Sequence, residues 1–272
     1  MAAITSRDNP KVKQVRSLRQ RKQREATGLF LVEGIHHVGE AVQAAASGVT
    51  GPRIEYIFFA PGLLKSDFAN QLVRDQSRQG IACFEASEDV FRSLTEKENP
   101  SGILAVLRQK YAQLEDLDAV NSPWCVALVS PQDPGNIGNI LRTIDAVGAS
   151  GLILIDNSAD PYHPSSVRAS MGALFWKPVV RVALEEFKGW ARQYEYNVYG
   201  SSARGHLDYR SLEAYQLPLI LLFGSEREGL APEALEICSQ LIRLPMQGRV
   251  TSLNLAVAAG VMLYAVRAGL DR

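Results

Sequence analysis

Three glycine-bearing stretches in the second half of the chain hold the residues best suited to chemistry. The first, 130–143, reads SPQDPGNIGNILRT and sets Gly135 and Gly138 three apart at an expected helix start. Glycines let a backbone approach a partner closely, and helix N-termini favour anions. Arg142 follows Gly138 by four residues, one turn on and on the same side. A tight strand-to-helix turn with an ordinary surface arginine has the same spacing. The second, 223–230 (FGSEREGL), brackets Glu226 with Gly224 and Gly229. Glu226 is either a site carboxylate or a complement to the dipole of the next helix. The third, 244–254 (LPMQGRVTSLN), ends in Ser252, Leu253 and Asn254. Ser252 suits an N-cap. Asn254 opens an apolar helix, where its amide must find a partner or act as a cap.

The elements around these stretches alternate. Strands are expected at 125–130, 151–156, 178–182, 196–200, 219–223 and 241–244, with helices at 137–147, 165–174, 185–194 and 232–239 and a last one from near Leu253. Each of the three stretches follows a strand, and open α/β sheets bind ligands outside the carboxyl ends of their strands. The run 219–223 is continuously apolar, as a strand covered on both faces should be. The last helix is apolar nearly all round, which predicts burial in a core or a subunit interface.

The first half reads as a smaller α/β unit. Val12, Val15 and Leu18 recur at helical spacing among bases, and a second helical pattern around Val38, Ala41 and Val42 stops near Gly48. Strands at 54–60, 81–86 and 102–107 flank a helix at 66–78 and a short helix capped by Ser87. The polar stretch 109–122 reads as a linker, so the predicted division is 1–108, linker 109–122, and 123–272.

Of the 272 residues, 46% are hydrophobic and 21% charged, which excludes disordered and collagen-like classes. The 29 bases and 29 acids cancel, but eight bases and one acid fall in residues 1–24. Such an arm suits an acidic partner, with Arg7, Lys11, Arg16, Arg19, Arg21, Lys22 and Arg24 as candidate contacts to its phosphates or carboxylates; a solvated helix face is the plainer reading. The longest nearly apolar run, 253–266, is shorter than the roughly 20 residues of a membrane span. No apolar stretch follows the basic start, three scattered cysteines form no disulfide framework, and the four histidines show no metal-ligand spacing. These features point to a cytoplasmic, metal-free protein.

Taken in order, the three stretches resemble the motifs of the SpoU/TrmH family of RNA ribose 2'-O-methyltransferases, in the knotted SPOUT class. Asn136, Gly138 and Arg142 match N-x-G-x-x-x-R; Gly224, Glu226 and Gly229 match G-x-E-x-x-G. Pro245, Met246, Gly248, Ser252, Leu253 and Asn254 match I-P-M-x-G followed by S-L-N, with Leu244 in the Ile position. The segment 167–175 (VRASMGALF) is similar to the stretch before the family's third strand. Residues 1–45, including Phe30-Leu-Val-Glu33-Gly34, resemble its accessory RNA-binding domain.

The resemblance implies an α/β fold: a C-terminal trefoil-knotted methyltransferase domain with a mostly parallel sheet, and a smaller N-terminal RNA-binding domain. It implies S-adenosylmethionine as methyl donor, held at Gly224, Leu244, Met246, Leu253 and Asn254, and a homodimer through the C-terminal domain. Arg142, Asn136, Glu226, Ser252 and Asn254 fall at the family's catalytic positions. A guanidinium hardly ever loses its proton, so Arg142 is expected to stabilise developing alkoxide charge rather than act as base, with Glu226 orienting it. Ser252 is either cap or proton acceptor. The expected substrate is structured RNA, with ribosomal RNA favoured over transfer RNA by the accessory domain and the absence of a basic C-terminal extension. A non-catalytic RNA-binding factor is the competing class, and the intact polar set argues against it. A nucleotide-dependent enzyme would need a GKT/GKS or GxGxxG loop, and both are absent.

Overall fold

The structure, a computed structural model, describes residues 3–48, 52–210 and 215–270. The chain forms two compact units, Met1–Lys110 with Tyr162–Trp176, and Tyr111–Pro161 with Lys177–Arg272. The stretch 162–176 thus packs with the first unit although it lies far inside the second in sequence.

The first unit is built on strands β1 (Leu29–Glu33), β2 (Ile54–Phe59), β3 (Ala82–Glu85) and β4 (Ile103–Arg108), in the order β1-β4-β2-β3. β4 runs antiparallel to β1 and β2, and β2 parallel to β3, so the pairing is mixed. Ser66 and Ser87 cap the helices Asp67–Arg78 and Glu88–Arg92 by accepting from Ala69 and Val90 backbone N–H groups. The basic arm is two short helices, Pro10–Ser17 and Arg21–Thr27, and Val12, Val15 and Leu18 are buried in the core. β1 follows them directly, and Phe30 in it lies 4.6 Å from the ring of Tyr162 and 6.5 Å from that of Phe175. The expected single helix over 165–174 is two, Pro164–Ala169 and Ala173–Trp176. They part at Met171 and Gly172, which take φ of 51° and 98°.

The second unit carries β5 (Trp124–Val129), β6 (Gly151–Ile155), β7 (Val179–Val182), β8 (Asn197–Ser201), β9 (Leu207–Asp208), β10 (Leu219–Phe223) and β11 (Gln240–Arg243), in the order β7-β6-β5-β10-β8-β11-β9. Every pairing is parallel, so the carboxyl ends of all these strands lie along one edge. β10 sits between β5 and β8 and is buried throughout. The polar stretch 109–122 is not a bare connector. Leu114 and Leu117 belong to the second unit's core, Ala112 N–H donates to Val179 at 3.0 Å, and Trp190 Nε1 donates to the Leu117 carbonyl at 3.2 Å. The last helix, Leu255–Leu270, packs on the helix Pro134–Val147 through Leu255, Ala259, Met262, Leu263 and Val266. Its other face is apolar and open: Val257, Val261 and Tyr264 are 52%, 37% and 58% exposed.

Candidate active site

The three glycine-bearing stretches meet at the carboxyl edge of the second unit's sheet. The first begins at Ser130, which follows β5 with a φ of 49°. Few non-glycine residues take that conformation, and it turns the chain sharply off the strand. Asp133 then caps the helix Pro134–Val147, accepting from Gly135 N–H at 2.8 Å, with Pro134 in the first turn. The helix starts three residues earlier than the spacing suggests, because the proline and Asp133 form a proper N-terminus. Asn136 therefore lies in its first turn, buried.

Glu226 reaches this turn from the loop after β10. Its carboxylate accepts from Asn136 Nδ2 at 2.9 Å, from Gln132 N–H at 3.0 Å and from Asp133 N–H at 3.4 Å. Burial raises the Glu226 carboxyl, but the bond from Asn136 and those from the backbone outweigh it and hold it below the ordinary value. Asn136 Oδ1 in turn accepts from Asn254 Nδ2 at 3.0 Å. Asn254 Oδ1 accepts from Ala256 N–H at 2.9 Å and Val257 N–H at 3.4 Å. Asn254 is thus the N-cap of the last helix, and both readings of its amide hold at once. A single hydrogen-bonded line runs Glu226–Asn136–Asn254 across the three stretches.

Two expectations for this site change. Glu226 makes no hydrogen bond or ion pair to Arg142; its carboxylate accepts instead from Asn136 and two backbone N–H groups. Arg142 stands exposed on its helix, its side chain without a hydrogen bond or ion pair among the described residues. Ser252 is not the helix cap, since Asn254 takes that place two residues later; it is exposed.

Gly224 needs its missing side chain for a reason internal to the loop. A Cβ there would lie 1.9 Å from the Gly229 carbonyl carbon and 2.3 Å from Leu230 N. The loop folds back on itself through reciprocal bonds between Ser225 and Gly229, at 3.2 and 3.0 Å. After β11, Leu244 and Met246 are half-buried, and Leu253 is 38% exposed. Partly uncovered apolar side chains at the carboxyl edge of a parallel sheet suit the adenine of a cofactor such as S-adenosylmethionine.

The basic arm is differently disposed than its charge implies. Arg24 is 1% exposed and donates to the carbonyls of Leu18 and Arg19 at 2.9 and 2.7 Å, which closes the turn between the two arm helices. It is structural and cannot reach RNA. Arg7 pairs with Asp89, Arg19 with Glu96 at 3.8 Å and Arg21 with Glu25 at 2.7 Å. Arg16 donates to the Ser93 carbonyl at 3.3 Å, and Lys11 lies 4.5 Å over the Tyr56 ring. Lys22 alone among the seven candidates is exposed with no partner among the described residues. Charge counting over residues 1–24 could not see these pairings, because Asp89 and Glu96 come from distant parts of the chain and Glu25 lies just past the arm's last base.

Comparison with known proteins follows this geometry. Residues 123–264 match the SpoU rRNA Methylase family, and 9–105 match the MRM3-like substrate binding domain. The chain is 32% identical over 273 residues to the 23S rRNA (guanosine(2553)-2'-O)-methyltransferase RlmP of Bacillus subtilis, covering 98% of this chain and 100% of the relative. It is 34% identical to the 23S rRNA (uridine(2479)-2'-O)-methyltransferase of Streptomyces viridochromogenes, covering 96% and 90%. The AdoMet-bound rRNA methyltransferase of Sinorhizobium meliloti superposes with a TM-score of 0.88 at 35% identity, covering 99% of this chain and 98% of that one.

Proposed function

The chain belongs to the SpoU rRNA methylase family, and we propose that it transfers a methyl group from S-adenosylmethionine to a ribose 2'-oxygen of ribosomal RNA. The observation that carries this reading is the Glu226–Asn136–Asn254 line, which ties the three motif stretches into one rigid floor beside an unpaired Arg142.

When bound, the cofactor supplies an electrophilic methyl group. Gly224, Leu244, Met246 and Leu253 would hold it, the glycine by keeping its loop closed and the others as apolar walls. The chain's own work is alignment and charge. In-line displacement needs the ribose oxygen on the axis of the methyl carbon, and such alignment can supply up to about 7–11 kcal/mol in favourable systems. The Asn136 and Asn254 amides, each fixed in orientation, position the ribose or the loop backbone around it. Arg142, with no carboxylate to neutralise it, stabilises charge developing on the 2'-oxygen. Ser252, exposed and two residues from the cap, is read as a hydrogen-bond acceptor for the 2'-hydroxyl, whose proton passes on to water.

The loops after β10 and β11 are read as the walls of a trefoil knot through which the end of the chain passes. Proteins are almost never knotted. Family likeness and the insertion of β10 between β5 and β8 support the knot here. The open face Val257–Val261–Tyr264 supports a homodimer through the last helix. Among the described residues no helix is long and apolar enough to cross a membrane, and no group of His, Cys, Asp and Glu could hold a metal ion. A ribosomal substrate puts the reaction in the cytoplasm.

Purified protein, labelled S-adenosylmethionine and deproteinised ribosomal RNA test the reading. Label should enter one ribose, seen as alkali resistance of the next phosphodiester bond. Replacing that nucleotide with its 2'-deoxy form should abolish transfer. Label on the deoxy substrate, or on transfer RNA alone, would overturn it.

A further inference from the structure

Most arginines of the described chain are engaged by carboxylates, carbonyls or rings, the basic arm included. Of the exposed arginines whose side chains make no hydrogen bond, ion pair or ring contact among the described residues, Arg168 and Arg192 stand elsewhere, while Arg142, Arg204, Arg227 and Arg249 share a location. Arg204 follows β8, Arg227 follows β10, Arg249 follows β11, and Arg142 lies on the helix after β5. These are four adjacent parallel strands in the order β5-β10-β8-β11, so all four arginines lie on elements that leave one edge of one sheet.

The acids of that edge form no ion pair with them among the described residues. Asp133 caps Gly135 N–H and Glu226 accepts from Asn136 and the backbone, both keeping their negative charge, and Asp208 is paired with Arg210 at 2.7 Å. Glu228 is the one carboxylate on these loops without a partner among the described residues. Arg243, at the end of β11, adds a further positive charge that acts on Asp208. The backbone holds the loops in place: Gly205, beside Arg204, is buried where a Cβ would meet the Ile242 carbonyl carbon at 2.7 Å, and Arg227 rides the closed Ser225–Gly229 turn. In a chain of zero net charge, one edge thus presents a cluster of guanidiniums with no ion-pair partner among the described residues. Guanidinium forks match phosphate oxygens, and polyanion affinity grows with each phosphate neutralised.

We propose that Arg204, Arg227 and Arg249 bind backbone phosphates of the RNA flanking the target nucleotide, so that the second unit grips its own substrate. The proposal rests on the ribose-methylation reading. These are positioning residues: they hold the strand while Arg142 faces the reacting oxygen.

The test is binding of deproteinised 23S ribosomal RNA as a function of salt. Arg204→Ala, Arg227→Ala and Arg249→Ala should each reduce the slope of log affinity against log salt by about 1, and the triple variant should show the summed loss. Arg227→Lys should keep most of the slope, because a phosphate contact needs charge more than shape. KM for RNA should rise while kcat at saturating RNA and calorimetric affinity for S-adenosylmethionine stay near wild type. Arg192→Ala removes an exposed, unpartnered arginine from the helix Leu184–Gln193, outside these four loops, and should leave the slope unchanged. A wild-type slope in the triple variant, or an equal loss in Arg192→Ala, would overturn the proposal. Failure of the wild-type protein to methylate ribose would instead sink the underlying reading, and the two results are read separately.

Discussion

Asn254 donates its side-chain amide to Asn136 Oδ1 at 3.0 Å while its own Oδ1 caps the last helix. The contact joins positions far apart in sequence and leaves neither amide free to flip. Asn136 must turn its nitrogen to Glu226, and Asn254 must turn its nitrogen to Asn136.

Asn254→Asp separates the two jobs. Aspartate caps as well as asparagine, so the unfolding free energy should change by less than about 1 kcal/mol. The donor to Asn136 is lost and a charge takes its place, so turnover should fall at least roughly tenfold, on the scale of 1.4 kcal/mol. Asn254→Ala should cost about 1 kcal/mol of stability as well. Thermal melts and single-turnover kinetics check both.

Glu226 accepts three hydrogen bonds and donates none. Its carboxyl is held below the ordinary value, so its stabilising effect is present above the unfolded-state pKa and is lost as pH falls through the lowered folded value. Glu226→Gln should therefore be less stable than wild type at neutral pH and converge with it in acid, once the pH falls below the lowered folded-state value. The neutral limb of the pH–rate profile should keep its midpoint. A shifted neutral midpoint would identify Glu226 as a proton-transfer group instead.

Arg142→Ala should lower turnover by about 10²–10³ with little change in cofactor affinity, because the interaction is made in the transition state. Arg142→Lys should rescue it only in part, since a point charge lacks the planar fork. Calorimetry with S-adenosylmethionine and rate measurements on ribosomal RNA check the split.

In the basic arm, Arg24→Ala should destabilise the protein by about 2–4 kcal/mol, because two buried carbonyls lose a charged donor. Lys22→Ala, on the surface, should stay within about 0.5 kcal/mol of wild type. Denaturant midpoints decide. Deleting residues 1–24 is a poor probe of RNA contact, as it removes Val12, Val15 and Leu18 from the core.

On the last helix, Val257→Asp with Val261→Asp should leave the far-ultraviolet spectrum intact and convert a dimer to a monomer by sedimentation. An unchanged mass would assign the open face to something other than self-association.

Much of this was legible in the chain. Continuous apolar runs such as 219–223 mark the central strands, because burial on both faces leaves no polar residue to confuse the period. Ser87 marked its helix start by cap chemistry alone. β1 escaped periodicity because it follows the arm helices with only Gly28 between, and β9 is two residues long. Motif spacing brought the three stretches to one place, yet it could not say who bonds whom. The partners of Glu226 include two backbone N–H groups, which leave no trace in residue identity. Arg24 misled for a related reason: burial of a guanidinium depends on the geometry of a turn, not on its neighbours in sequence.

The stretch Tyr162–Trp176 has a consequence for synthesis. Phe30 is made early, but the rings of Tyr162 and Phe175 that cover it emerge only after β5 and β6 have been translated. At about 5–20 residues per second this leaves several seconds in which the first unit is finished in length but open in its aromatic cluster. Vectorial folding, one unit and then the next, is therefore unavailable to this chain. The first unit can close only after residues 162–176, and with them part of the second unit's sequence, have emerged from the ribosome.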